Sequence, residues 1–375
     1  VASANSPGAR QDQARQGADA IELAFFGEVG SLTRAEVEAQ AGVGPETSER
    51  MWRALGFVDA GPDARVFTSA DVAALRLTAE IERDELVTPG TEETLARALG
   101  QSMSRLAQAQ VEATGDLLAQ VPEVRELARD DPQELVRLLT ERAAHLIGPM
   151  EKLLVYAWRR HAVAASQRSV MGLLSEMEEI PRAVGFADLV GFTSLTRDLP
   201  ASELAAVVRR FEDTSFEAVL RRGGRVVKTL GDEVMFSADD AVAAADIALT
   251  LAEAFGGGDA RRSATATEAT AEVEDPDIPA VPPVRVGLAW GPALALGGDV
   301  LGPVVNIASR CTSLARPGTV LVDRDLASAL AEAGTGDFTL VRLRPQRVRG
   351  YDHLLPSVLR RHEEDDRSGR GVTTV

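Results

Sequence analysis

The sequence predicts an α+β protein in two unlike halves, an all-helical first half followed by a sheet-forming second half. Three observations predict it. Residues 21–167 carry apolar positions at helical spacing almost without a break. From residue 183 the pattern changes to short apolar strands alternating with helices. A length of 375 residues with 45% apolar and 26% charged side chains is enough to bury more than one core.

Taken in order, residues 1–20 are polar and rich in Ala and Gln, and read as a disordered tail with no apolar segment of a signal peptide. Residues 21–167 form the helical domain. Within it, 31–76 makes a sub-unit of short helices, "SLTRAEVEAQAGVGPETSERMWRALGF" and "FTSADVAALR". Ser31 or Thr33 can cap the first and Thr68 or Ser69 the last, with Gly42, Gly44 and Pro45 in the turn. Residues 91–114 place Leu95, Leu99, Met103 and Leu106 at helical spacing behind Glu92 and Glu93. Asp131-Pro132-Gln133-Glu134 combines a cap, a first-turn proline and a capping-box acid. The helix it opens runs past Leu135, Leu138, Leu139 and His145 until Gly148-Pro149 interrupts it, and 150–167 forms another.

Residues 168–182 read as a linker. Beyond it come a strand (183–189), a helix (202–222), a strand (225–230), the turn Gly231-Asp232, a strand (233–237) and a helix (241–255). Residues 256–283 lack periodicity and read as a flexible surface insertion. Strands follow at 284–290 and 293–297, then a helix at 304–315 and a strand at 319–322. This βαββαβ order around a central hairpin predicts a ferredoxin-like sheet with helices on one face over 183–360, and 361–375 reads as a tail.

Composition excludes several classes. The net charge of −17 disfavours broad binding to nucleic acid or anionic membrane. No apolar run approaches the roughly 18–20 residues of a bilayer span. Cys311 is the single cysteine, which excludes an intrachain disulfide and a cysteine-clustered zinc site. The expectation is a soluble cytoplasmic protein.

Two aspartates stand out by position. Asp188 ends the first strand in "GFADLVGFTSL", and Asp232 sits in the hairpin turn of "VVKTLGDEVMF". Singly, each could be an ordinary turn aspartate. In a βαββ unit, however, the first strand can lie beside the hairpin and bring the two carboxylates together. Close carboxylates repel unless a cation lies between them, and hard oxygen donors favour Mg²⁺ or Mn²⁺. The turn after Asp188, through Gly191, Phe192 and Thr193, offers backbone amides for an anion. A second group lies in "GGDVLGPVVNIASR": Asn306 and Arg310 share one helix face, and Asp299 precedes them. Read alone, it could equally be an exposed helix face.

Together "FADLVGFTSL", "VKTLGDEVMF" and "GDVLGPVVNIASR", in this order, resemble the catalytic domain of class III adenylyl cyclases over about 184–360. The resemblance implies conversion of ATP to 3′,5′-cyclic AMP and pyrophosphate by a homodimer with sites at its interface. It implies two divalent metal ions, Mg²⁺ or Mn²⁺, held by Asp188 and Asp232 with the carbonyl of Leu189. It implies that Lys228 and Asp299 read the adenine edge and that Asn306 and Arg310 stabilise the transition state. Arg349 or Arg347 would meet the terminal phosphates. Lys228 is one of only two lysines, with Lys152, among 40 basic residues. A lysine suits a place that wants a compact ammonium.

The first half, above all "LIGPMEKLLVYAWRRH", is similar to the autoinhibitory domain that precedes the cyclase in some actinobacterial enzymes, where a pH response is associated with it. His145 and His161 are then the candidate proton sensors. Residues 31–76 also resemble a MerR-type helix-turn-helix. Seven acids (Glu36, Glu38, Glu46, Glu49, Asp59, Asp63, Asp71) against five arginines (Arg34, Arg50, Arg53, Arg65, Arg76) argue against DNA there. The competing readings are a cyclase with relaxed ATP/GTP choice and a DNA-binding regulator with a nucleotide-sensing domain.

Overall fold

Two of the caps read from the sequence close as hydrogen bonds. Thr33 Oγ1 accepts from the Glu36 amide at 3.3 Å, and Glu36 Oε2 accepts from the Thr33 amide at 2.8 Å. Asp131 Oδ1 accepts from the Glu134 amide at 3.1 Å. The structure is a computed structural model that describes residues 7–58, 60–83, 88–174, 180–256, 279–348, 350–362 and 372–374. It divides into two units, Val1–Ser166 and Gln167–Val375.

The first unit is helical: α1 (Pro7–Phe26), α2 (Arg34–Ala41), α3 (Pro45–Ala54), α4 (Ser69–Arg83), α5 (Pro89–Ala119), α6 (Pro122–Asp130) and most of α7 (Pro132–Leu174). Val37, Trp52, Val72 and Leu75 make a small core for α2–α4, closed by a bridge between Leu32 and Phe67. Where the sequence reads as a tail over 1–20, the structure carries α1 from Pro7. Ala, Gln and Arg are strong helix formers and need no apolar face to propagate a helix. Gly148-Pro149 does not interrupt α7 either. Gly148 has no Cβ to clash with the Pro149 ring, which removes part of the steric penalty of a proline inside a helix. Residues 168–174 continue this helix rather than forming a linker, and 180–182 already belong to the next strand.

The second unit comprises β1 (Ile180–Leu189), α8 (Phe192–Asp198), α9 (Ala201–Arg221), β2 (Arg225–Thr229), β3 (Glu233–Ala238), α10 (Ala241–Ala254), β4 (Val284–Leu296), β5 (Asp299–Leu301), α11 (Pro303–Leu314), β6 (Val320–Val322), α12 (Arg324–Ala333), β7 (Phe338–Arg342), β8 (Gln346–Val348), β9 (Tyr351–Leu354), β10 (Ser357–Arg361) and β11 (Val372–Thr374). The sheet order is β11-β7-β10-β6-β4-β1-β3-β2, and β4-β1-β3-β2 is the antiparallel ferredoxin-like part. The extension through β7 and β10 was not legible in the charged 338–361 stretch. Val372–Thr374, in the expected tail, adds as an edge strand on β7. Of the expected insertion, 257–278 lie outside the described residues.

Helices cover both faces of the sheet, not one. Alternate residues of β1 point to opposite sides: Ala183, Ala187 and Leu189 join α9, α10 and α12 in one core. Val184 and Phe186 join Met235, Ala289, Val304 and Ala308 of α11 in another. A strand apolar on both faces has to be covered on both. Gly287 fixes the second layer, because a Cβ there would lie 2.1 Å from the Thr312 amide of α11.

Candidate active site

Antiparallel register brings the first aspartate to the hairpin. Asp188 stands opposite Glu233 of β3 on one side and opposite Arg285 of β4 on the other. The Leu189 amide donates to the Asp232 carbonyl at 2.9 Å, and the Leu230 amide donates to the Glu233 carbonyl at 2.8 Å to close the turn. Gly231 takes φ 71° in that turn, a conformation open to glycine. The end of β1 and the hairpin tip therefore meet, as the βαββ order allowed.

The electrostatics of this corner are those of crowded acids. Burial pushes the Asp188 carboxyl up from its ordinary value, the Arg285 guanidinium opposes this, and the charge of Asp232 adds to the rise. Burial, then Asp188 and Asp232, push Glu233 up to about 6. Arg285 Nε donates to Asp188 Oδ2 at 2.5 Å. The donor set fits a hard divalent cation: the charge of Asp232 acts on the Asp188 carboxylate, and oxygen donors of this kind suit Mg²⁺ or Mn²⁺. Among the described residues, no three His, Cys, Asp or Glu side chains converge on one point. Such a cation would complete its shell with water and phosphate oxygens, as Mg²⁺ usually does.

Lys228 and Asp299 form a second pair. Lys228 Nζ donates to Asp299 Oδ2 at 2.5 Å, and the Val300 amide donates to Asp299 Oδ1 at 2.8 Å. A bulge between Val226 and Lys228 shifts the register of β2 against β3. The Gly297-Gly298 turn, both residues at positive φ, returns β4 into β5 and delivers Asp299. The hydrogen bond from Lys228 holds the Asp299 carboxyl below its ordinary value. Both side chains are about one-third exposed, 35% and 37%. An ion pair this accessible contributes roughly 0–1 kcal/mol. Stability alone gives little reason for it.

Asn306 is exposed on α11, and Arg310 is half-buried one turn later. Arg310 Nε is buried without a hydrogen-bond partner among the described residues. An orphaned guanidinium donor is costly unless something else meets it. Phe192 packs on the core at the start of α8, and Thr193 beside it is exposed. Arg349 lies outside the described residues, and Arg347 is exposed on β8. His145 and His161 are both exposed on α7. The structure thus brings Asp188 to Asp232 and Lys228 to Asp299, and it presents Asn306 and Arg310 on one helix. Arg285 and Glu233 were missed by sequence reasoning. Their only signal is cross-strand register with Asp188, which the sequence does not carry.

Residues 176–360 match the family described as "Adenylate and Guanylate cyclase catalytic domain". An adenylate cyclase of Streptomyces coelicolor is 39% identical over 324 residues, covering 85% of this chain and 78% of the relative. An adenylate cyclase of Glutamicibacter nicotianae is 34% identical, with 90% and 80% covered. A protein of Mycobacterium tuberculosis named as a pH-sensitive adenylate cyclase is 31% identical, with 87% and 77% covered. Among the described residues no helix is long and apolar enough to cross a membrane.

Proposed function

This chain belongs to the class III adenylyl cyclases and is an adenylate cyclase, and from that premise we propose how its residues act and are regulated. The observation that carries the reading is the Lys228–Asp299 pair, a donor and an acceptor side by side. Lys228 donates to N1 of adenine and Asp299 accepts from its N6 amine. Guanine presents the reverse order, an O6 acceptor beside an N1–H donor, and would meet both groups with the wrong polarity.

Asp188, Asp232 and the Leu189 carbonyl hold two divalent ions, Mg²⁺ or Mn²⁺. When bound, these supply the positive charge that acidifies the ribose 3′-hydroxyl and neutralises the leaving pyrophosphate. The amides of Phe192 and Thr193 orient the phosphate chain, and Arg349 or Arg347 meets its terminal phosphates. Asn306 and Arg310 stabilise the transition state, Arg310 by meeting charge that gathers on the α-phosphate oxygens. The O3′–Pα bond forms as the bond from Pα to the bridging oxygen of pyrophosphate breaks, and the hydroxyl proton passes to water.

The working unit is a homodimer. Asp188 and Asp232 of one chain serve a site completed by Lys228, Asp299, Asn306 and Arg310 of the other. The helical unit restrains this activity. Similarity to a relative named as pH-sensitive supports a pH response; our reading of it is release of the restraint by acid, through His145 or His161. The decisive assay gives the full chain Mn²⁺ with ATP or GTP and reads both cyclic nucleotides. Cyclic AMP formed well in excess of cyclic GMP is expected, and comparable rates would establish relaxed specificity instead. For regulation, His145→Gln with His161→Gln should flatten the rise in activity from about pH 8 to pH 5.5. An unaltered profile would remove the two histidines from the account.

A further inference from the structure

Asp188 is only 14% exposed, in a corner it shares with Asp232 and Glu233, and among the described residues one cationic side chain touches it. Arg285 stands directly across from it in the β1–β4 ladder, so both side chains leave the sheet on the same face. Its Nε reaches Oδ2 of Asp188 at 2.5 Å while the guanidinium remains 38% exposed. The hydrogen bond occupies one carboxylate oxygen and leaves Oδ1 as the other donor atom. The backbone on both sides is held by strand pairing, so the direction of Oδ1 is set chiefly by what grips Oδ2. Ligating carboxylates generally depend on such outer partners for orientation.

We infer that Arg285 is a positioning residue for metal loading: it grips one oxygen of Asp188 and aims the other at the ion. The inference rests on Asp188 being a metal ligand. The opposite expectation is also physical, because a nearby guanidinium repels a divalent cation. The two differ in sign. If positioning dominates, losing Arg285 weakens metal binding; if repulsion dominates, losing it tightens binding.

The test is Mn²⁺ binding to the full chain, followed by the loss of the free-ion electron paramagnetic resonance signal without nucleotide turnover. Arg285→Met keeps the apolar stem and removes the donor. It should weaken Mn²⁺ binding about 10-fold or more, the range seen when outer partners of metal ligands are lost. Arg285→Lys should recover most of that loss, because an ammonium can still donate to Oδ2. In an Asp188→Asn background, Arg285→Met should add little, because two changes acting through one carboxylate are not additive. A misfolded Arg285→Met protein leaves the Lys variant to decide. Lys binding nearer wild type than Asp188→Asn supports positioning, and Lys binding as poorly as Asp188→Asn overturns it. Unchanged or tighter binding in Arg285→Met overturns the positioning role. Unchanged binding in Asp188→Asn alone overturns the metal-site reading beneath it.

Discussion

Lys228 and Asp299 lie 71 residues apart in sequence and meet at 2.5 Å, although Lys228 is only four residues from Asp232 on the same hairpin. The hairpin therefore serves two places at once. Its tip meets the end of β1, while its bulged strand β2 meets β5.

Reversing the polarity of the Lys228–Asp299 pair should shift nucleotide choice. Lys228→Glu with Asp299→Ser is expected to lower the ATP/GTP ratio of kcat/KM at least tenfold, a change of about 1.4 kcal/mol in transition-state discrimination. Full conversion is not expected, because the surrounding shape also discriminates. A ratio equal to that of the parent would set aside the base-reading role.

Shared sites predict complementation. Asp232→Ala and Asn306→Ala should each be nearly inactive alone, one lacking a metal ligand and the other a transition-state contact. In a mixed dimer one site collects both lesions and the other neither. Random pairing makes about half the dimers mixed, each with one live site, so mixing should restore roughly a quarter of wild-type activity. Verified heterodimers no more active than the separate mutants would show that each chain builds its own site.

Gly287→Ala should disturb stability and catalysis together. Its new Cβ would lie 2.1 Å from the Thr312 amide and 2.6 Å from the Ala308 carbonyl, both backbone atoms of α11. Overpacking of this kind typically costs about 1–3 kcal/mol. Because α11 also carries Asn306 and Arg310, turnover measured well below the lowered Tm should fall too. An unchanged Tm would mean that α11 can move away freely.

Asp323 makes stability depend on pH. It is buried, caps α12 by accepting from the Leu326 amide at 3.0 Å, and also accepts from the Trp290 amide at 3.2 Å. Burial nonetheless pushes its carboxyl up to about 6. The folded state thus holds the proton more tightly than the unfolded chain. This contribution is fully present below the unfolded pKa and is lost as pH rises toward about 6. Asp323→Asn should remove a slope of at most about 1.4 kcal/mol per pH unit between about pH 4 and 6. Denaturant midpoints at several pH values measure it, and parallel curves for the two proteins would contradict the assignment.

The helical first half, the βαββαβ core and the caps at Thr33 and Asp131 were legible because local signals encode them: apolar spacing, cap residues and turn glycines. Misreadings fell where a local signal was weak or outweighed. Residues 7–20 have no apolar stripe yet form α1, and Pro149 was absorbed within α7. The strands at 338–361 alternate too irregularly among charged residues to announce themselves. They gain their place by pairing with an existing sheet edge.

The sequence by itself determined the family, the substrate chemistry and the identity of Asp188, Lys228, Asp232, Asp299, Asn306 and Arg310 as the residues to watch. These lie in short continuous motifs, and motif order survives without coordinates. Only the tertiary structure decided that Lys228 touches Asp299, that Arg285 and Glu233 flank Asp188, and that helices cover both faces of the sheet. The physical reason is register. Which residue stands across from Asp188 depends on the alignment of three strands drawn from distant parts of the chain. A slip of one residue would turn every side chain of a strand to the other face.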